Sequence, residues 1–352
     1  MRPIILTFLI ALALPLHADD FSTHWPIDQL GAGPYQGVLF GGLYGNGTNT
    51  MSAGHLALGM ENAARIQPLD ENGQPSPSGK IVFLAVGYGD TARIMCGADA
   101  QSGCESGSLM AMARSNPAIN HDSLVLLNAA RDGADFRSWS YESGGRPIYD
   151  SVRTSVLLPA GVTGKQVQAA WVQVVTNNPY VPLGTPLGDG FVLKGGIAAT
   201  LREMKKAYPN LQVAYLSSRV YGGYATTNWN PEPFAYESGF SHRWVIEGQI
   251  FEEQTPIGGW FWDTRLGNVD DRVGIAPWIA WGPYLWANGT TARQSDGLRW
   301  LREDFAIDGE TLSSKGAHKG ALLLLDFLLH EPTARRWLTT TDSPTRRRSS
   351  RR

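Results

Sequence analysis

Carboxylates and hydroxyls recur just after apolar runs in this chain, where acid–base or nucleophilic chemistry would sit. Asp90 and Thr91 follow the run at Lys80–Val86, Ser217 and Ser218 follow the run at Leu211–Leu216, and His318 lies beyond Asp308 toward the C-terminus. A hydroxyl attacks a carbonyl at neutral pH only with a base in contact, and an imidazole oriented by a carboxylate is the common base. Asp90, Thr91, Asp308 and His318 are therefore among the residues that could carry such chemistry. Each also has a plainer role: Asp90 as a helix N-cap, His318 as a side chain on a helix surface, the serines as turn and packing groups. His24, His55, His121, His242 and His330 show no ligand spacing, so no metal and no cofactor are expected.

Positioning such groups takes a scaffold, and the apolar runs describe one. Lys80–Val86, Leu124–Asn128, Val167–Val175, Leu211–Leu216 and Ile275–Trp281 have the length of buried strands. Helical patterns fall between or after them, at Glu105–Arg114, Ile148–Leu158, Leu193–Ala207, Phe234–Phe251 and Lys315–Leu329. Buried strands separated by helices imply right-handed crossovers and a parallel sheet covered on both faces. The expectation is an α/β protein, a three-layer α/β/α sandwich around a flavodoxin-like parallel sheet of about five strands, over residues 80–338. Residues 19–79 read as an irregular glycine-rich extension, and 339–352 as a disordered Arg/Ser tail. In such sheets ligands bind beyond the carboxyl ends of the strands.

Composition bounds what the scaffold meets. The chain has 352 residues, 43% hydrophobic and 18% charged, with 40 Gly, which excludes a disordered or fibrous protein. Residues 1–18 pair Arg2 with an apolar run ending at Leu16-His17-Ala18, the pattern of a signal peptide. The run is too short for a comfortable membrane span, and no later stretch approaches one. The protein is thus expected in the periplasm or outside the cell. The formal net charge of −2 becomes −3 without the single Arg of residues 1–18. It becomes −7 when the five Arg and one Asp from Thr341 onward are also removed. An acidic body argues against nucleic acid as a partner. Cys96 and Cys104 enclose seven residues. In an oxidising compartment the expected outcome is a disulfide, against the rivals of a metal site or a catalytic thiol.

Several stretches resemble the SGNH/GDSL hydrolases, and more closely an exported bacterial group within that superfamily. The longest is YLSSRVYGGYATTNWNPEPFAYESGFSHRWVIEGQI at 215–250. GGLYGNGTNT at 41–50, AWVQ at 170–173, PWIAWGPYLWANG at 277–289 and DFAIDGETLSSKG at 304–316 support it. The resemblance implies ester hydrolysis, with a Ser after the first strand, an Asp-x-x-His near the C-terminus, and a Gly and an Asn that help hold the oxyanion. This sequence departs from that pattern at both reactive positions. Gly87-Tyr88-Gly89-Asp90-Thr91 puts Gly89 where the Ser belongs, and Asp308-Gly309-Glu310-Thr311 keeps the Asp but puts Thr311 where the His belongs. Gly133 and Asn177 (or Asn178) fall at the oxyanion positions. The expectation is a catalytically degenerate hydrolase relative; the alternative is an active carbohydrate acetylesterase-like enzyme using Asp90, Thr91 and His318.

Eight of the 12 Trp fall between Trp229 and Trp300. Tyr221 and Tyr224 follow the fourth run, Trp281 and Tyr284 the fifth, and aromatic faces at a ligand edge suit sugar rings. With Arg219, Glu232 and Glu237 as polar contacts, they suggest a site for extracellular or envelope carbohydrate. Packing of the aromatics and an internal charge network are the competing roles.

Overall fold

The computed structural model describes residues 24–37, 39–97, 103–140, 147–259 and 263–340. The expected signal peptide at 1–18 and nearly all of the expected tail lie outside them.

Five apolar runs form one parallel sheet: β1 (Ile81–Gly87), β2 (Leu124–Asn128), β3 (Val167–Gln173), β4 (Val213–Leu216) and β5 (Trp278–Trp281). The order is β2-β1-β3-β4-β5 with every pairing parallel. That is the flavodoxin-like order, and it reverses direction between β1 and β3. Alternate side chains serve two cores. Val82, Leu84 and Val86 pack with Ala170, Val172, Ala214 and Ile279 against one helical layer. Ile81, Phe83 and Ala85 pack with Trp171, Tyr215 and Trp278 against the other.

Helices α1 (Ala53–Arg65), α2 (Gly89–Cys96), α3 (Leu109–Ser115), α6 (Ser314–His330) and α7 (Pro332–Leu338) contribute to the second layer. Helices α4 (Asp189–Ala207) and α5 (Phe234–Glu253) contribute to the first. The three-layer expectation therefore holds. The irregular extension needs correction, because residues 53–65 are helical. Ser52 caps α1 by accepting from the His55 amide. Its buried face is His55, Gly59, Asn62 and Ala63, too polar to register as an apolar stripe. Gly59 is required there, since a Cβ would lie 2.4 Å from the Trp278 indole. At the other end, Thr339 bridges to Ile119, so the first residue of the expected tail belongs to the fold.

A disulfide joins Cys96 to Cys104, anchoring the end of α2 to the chain beyond it. Among the described residues, no helix is long and apolar enough to cross a membrane.

Candidate functional site

The carboxyl ends of β1, β2 and β4 surround a pocket of about 280 Å³. Tyr88, Gly89, Asp90 and Arg93 enter from the start of α2, and Asp132 and Gly133 from the loop after β2. Arg219, Thr227 and Trp229 come from the long loop after β4, and Asp308, Glu310 and Thr311 from the segment before α6. The sheet thus brings together Gly89, Gly133, Asp308 and Thr311, four positions named by resemblance, with Asp90 and Arg219.

Asp90 and Arg219 form the floor. Asp90 is not an N-cap: it lies in the first turn of α2, whose cap residue is Tyr88. Its Oδ2 accepts from the Tyr88 hydroxyl at 2.9 Å and from Arg219 Nη1 at 3.2 Å, while Oδ1 accepts from the Leu312 amide at 2.9 Å. The Arg219 guanidinium also lies over the Tyr88 ring, 4.9 Å from its centre. Burial pushes the Asp90 carboxyl up, and Arg219 opposes the shift. Burial also works against the charge of Arg219, but Tyr88, Asp90 and Glu310 outweigh it and hold the guanidinium protonated. With three hydrogen bonds on its carboxylate, one of them within an ion pair, Asp90 ties α2 to Arg219 and to the Leu312 amide.

The C-terminal block is arranged as a closed local unit. Asp308 Oδ1 accepts from the amides of Glu310 and Thr311, each at 3.0 Å, and Oδ2 accepts from Thr311 Oγ1. Burial alone would raise the Asp308 carboxyl. The Thr311 hydroxyl and the two amides overcome it and leave the group below the usual carboxylate range. Glu310 goes the other way: burial pushes it up, against the hydrogen bond from Thr227. None of the twelve side chains and glycines around the pocket is Ser, Cys or His.

At Gly89, a Cβ would lie 2.2 Å from Asp132 Oδ1. A carboxylate therefore stands beside the position where the resemblance implies a hydroxyl-bearing side chain. Asp132 is 78% exposed and 3.9 Å from Arg93, so it can swing away.

Other expected site residues are not brought here. Thr91 is buried and donates to Gln173 Oε1 at 2.9 Å. His318 faces away along α6, its Nδ1 2.8 Å from the Gly107 carbonyl. Asn177 is half-buried with Oδ1 unpartnered and does not line the pocket. Glu237 accepts from the Tyr35 hydroxyl and the Leu183 amide in the core, and Glu232 accepts from Trp286 and two backbone amides. Trp281 donates to the Leu43 carbonyl, and the Tyr284 hydroxyl accepts from the Ile27 amide; both rings are buried. Tyr221 packs edge-on against Tyr224, whose hydroxyl donates to the Trp300 carbonyl. For Trp281 and Tyr284 the physical reason is distance across the sheet. β5 stands three strand spacings from β1, about 14 Å, and its following loop is covered by the N-terminal segment.

Sequence reasoning passed over Tyr88, Arg93, Asp132, Thr227, Trp229 and Glu310 as ligand contacts. Some were within reach: Tyr88 and Glu310 sit inside the two quoted blocks, Asp132 immediately precedes Gly133, and Arg93 is one turn beyond Asp90 on α2. Among the described residues, no group of three or more His, Cys, Asp or Glu is placed to hold a metal ion.

No protein-family model matches the sequence, and no curated protein matches it. Among solved structures, the chain is similar to a carbohydrate esterase family 2 enzyme with a carbohydrate-binding domain from Corynascus thermopiles (Myceliophthora fergusii). Identity is 10% and the TM-score 0.36, covering 71% of this chain and 66% of that one. It is also similar to an extracellular lipase from Streptomyces rimosus, at 12% identity and TM-score 0.33, covering 70% of this chain and 98% of that one. The chain spans just under two-thirds of the esterase. These likenesses assign no activity to it.

Proposed function

We propose that this protein is an exported, catalytically degenerate relative of the SGNH hydrolases that binds carbohydrate in the pocket at the β1, β2 and β4 ends. One observation carries the reading. Gly89 offers no nucleophile, and the Asp308 carboxylate, left without an imidazole to orient, is satisfied by Thr311 and two amides of its own loop. A triad without nucleophile or base loses about six orders of magnitude in rate, keeping only binding and oxyanion effects. What remains is a small polar pocket with guanidinium donors, carboxylate acceptors and the half-buried Trp229 ring. That mixture suits a polyhydroxylated ring, whose hydroxyls both donate and accept. The disulfide supports export.

The test is a paired measurement on one preparation: turnover of aryl acetates and acetylated sugars, and binding of an oligosaccharide panel. Binding without turnover is expected. Hydrolysis at ordinary enzyme rates that is lost in Asp308→Ala would overturn the proposal.

A further inference from the structure

Glu310 is 5% exposed and borders the pocket, yet only one of its carboxylate oxygens is used. Oε2 accepts from the Thr227 hydroxyl, while Oε1 has no hydrogen-bond partner. Arg219, 2% exposed, has an unpartnered donor at Nε. A buried acceptor without a donor is costly, the more so for a carboxylate.

The charges around the pocket are not balanced. Asp90 is paired with Arg219 at 3.2 Å and Asp132 with Arg93 at 3.9 Å. Among the described residues neither Asp308 nor Glu310 forms a direct ion pair, and they feel Arg93 and Arg219 only at longer range; Asp308 is at least held by two amides and a hydroxyl. Of the pocket's carboxylates, Glu310 is the one with neither a direct ion pair nor a partner for one oxygen, and its burial without a paired cation pushes its carboxyl up. An anionic ligand would meet this unpaired carboxylate and be repelled. A neutral hydroxyl would supply one donor, whereas an ammonium supplies three together with the missing positive charge.

We infer that the pocket takes a sugar ring bearing a free amine, a hexosamine unit, in preference to neutral or acidic sugars. The inference rests on the carbohydrate reading above and specifies its ligand. The ammonium would pair with the Glu310 carboxylate, and a ring hydroxyl would accept from the Arg219 guanidinium, both groups lining the pocket. Trp229 offers an aromatic face to the ring. At about 280 Å³ the cavity falls just under the roughly 300 Å³ at which sites for drug-sized ligands begin, so it holds one ring with its neighbours outside.

The experiment is calorimetric titration of the intact protein with four trisaccharides of glucosamine, N-acetylglucosamine, glucose and galacturonic acid, at about pH 6, where an amine is charged. Glucosamine trisaccharide should bind at least tenfold more tightly than the glucose trisaccharide, as a charge-assisted hydrogen bond of about 1.5–3 kcal/mol requires. Glu310→Gln should erase that preference. Equal affinity for the glucosamine and glucose trisaccharides would overturn the amine inference and leave the carbohydrate reading standing. Tightest binding of the galacturonate probe would do the same. Binding of none of the four would sink both.

Discussion

If the protein is inert because two functional groups are missing, then putting them back should restore hydrolysis only when both return. Gly89→Ser places Cβ 2.2 Å from Asp132 Oδ1, but that carboxylate is exposed and free to rotate, so the substitution is tolerable; adding Asp132→Gly removes the conflict. Thr311→His forfeits one hydrogen bond to Asp308. The two amides still hold the carboxylate, which is then available to an imidazole N–H. Removing Ser or His alone from a working triad costs about as much as removing the whole, roughly 10⁶-fold. The converse is that neither single replacement should help. A graft without an evolved supporting shell recovers part of that factor; we expect the Gly89→Ser/Asp132→Gly/Thr311→His variant to exceed the native protein by about 10²-fold on p-nitrophenyl acetate, the low end of the roughly 10²–10⁴-fold that one positioned acid–base group contributes. The assay is initial-rate hydrolysis, with circular dichroism to confirm the fold. A Gly89→Ser variant as active as the combined one would refute the reasoning. So would a folded combined variant with no gain.

Four further outcomes are expected. Asp90→Ala strips a buried guanidinium of its partner and should cost about 3–5 kcal/mol in denaturant unfolding; a loss under about 1 kcal/mol would mean the floor is not held by this pair. Gly59→Ala drives a methyl into the Trp278 indole and should cost about 1–3 kcal/mol, read as a lowered Tm. Replacing Cys96 and Cys104 by Ser opens a short loop and should cost about 2–3 kcal/mol, with no loss expected in reducing buffer for the variant. Glu237 is pushed up to about 8 by burial, against the Leu183 amide and Tyr35 hydroxyl. Its folded value lies above the unfolded 4.5, so its contribution is intact below about pH 4.5 and lost as pH rises toward 8. Glu237→Gln should flatten the fall in stability between pH 6.5 and 8; that window avoids His242, which burial lowers to about 4.

The sheet was legible because its strands are apolar throughout. Each of the five runs became a strand, with ends trimmed where Val174–Val175 and Ile275–Pro277 leave the ladder. Helix α1 was not legible: its inward face uses His55, Gly59 and Asn62, and His55 is held by Glu253 and the Ile279 carbonyl, partners about 200 residues away. The same non-locality defeated the aromatic contacts. Trp281 and Tyr284 look like ligand residues from their place after a strand. Their polar atoms are claimed by Leu43 and Ile27, at separations of 238 and 257 residues. The pocket itself was legible in the two blocks that departed from the hydrolase pattern, since both departures lie on its wall.

Asp308 stands beside Thr311 at the second of those departures. Its work is local. Oδ1 closes the turn through Glu310 and Thr311, and the Asp308 carbonyl accepts from the Thr226 amide at 3.0 Å. The turn is thereby tied to the loop after β4 that carries Thr227 and Trp229. Across the pocket, Asp90 reaches the Leu312 amide, so β1 is fastened to the same turn. Two carboxylates therefore tie the walls of the pocket to one another. A third, Glu310, lies on the same turn as Asp308 with one oxygen unclaimed, so the turn presents an open acceptor at the edge of the pocket.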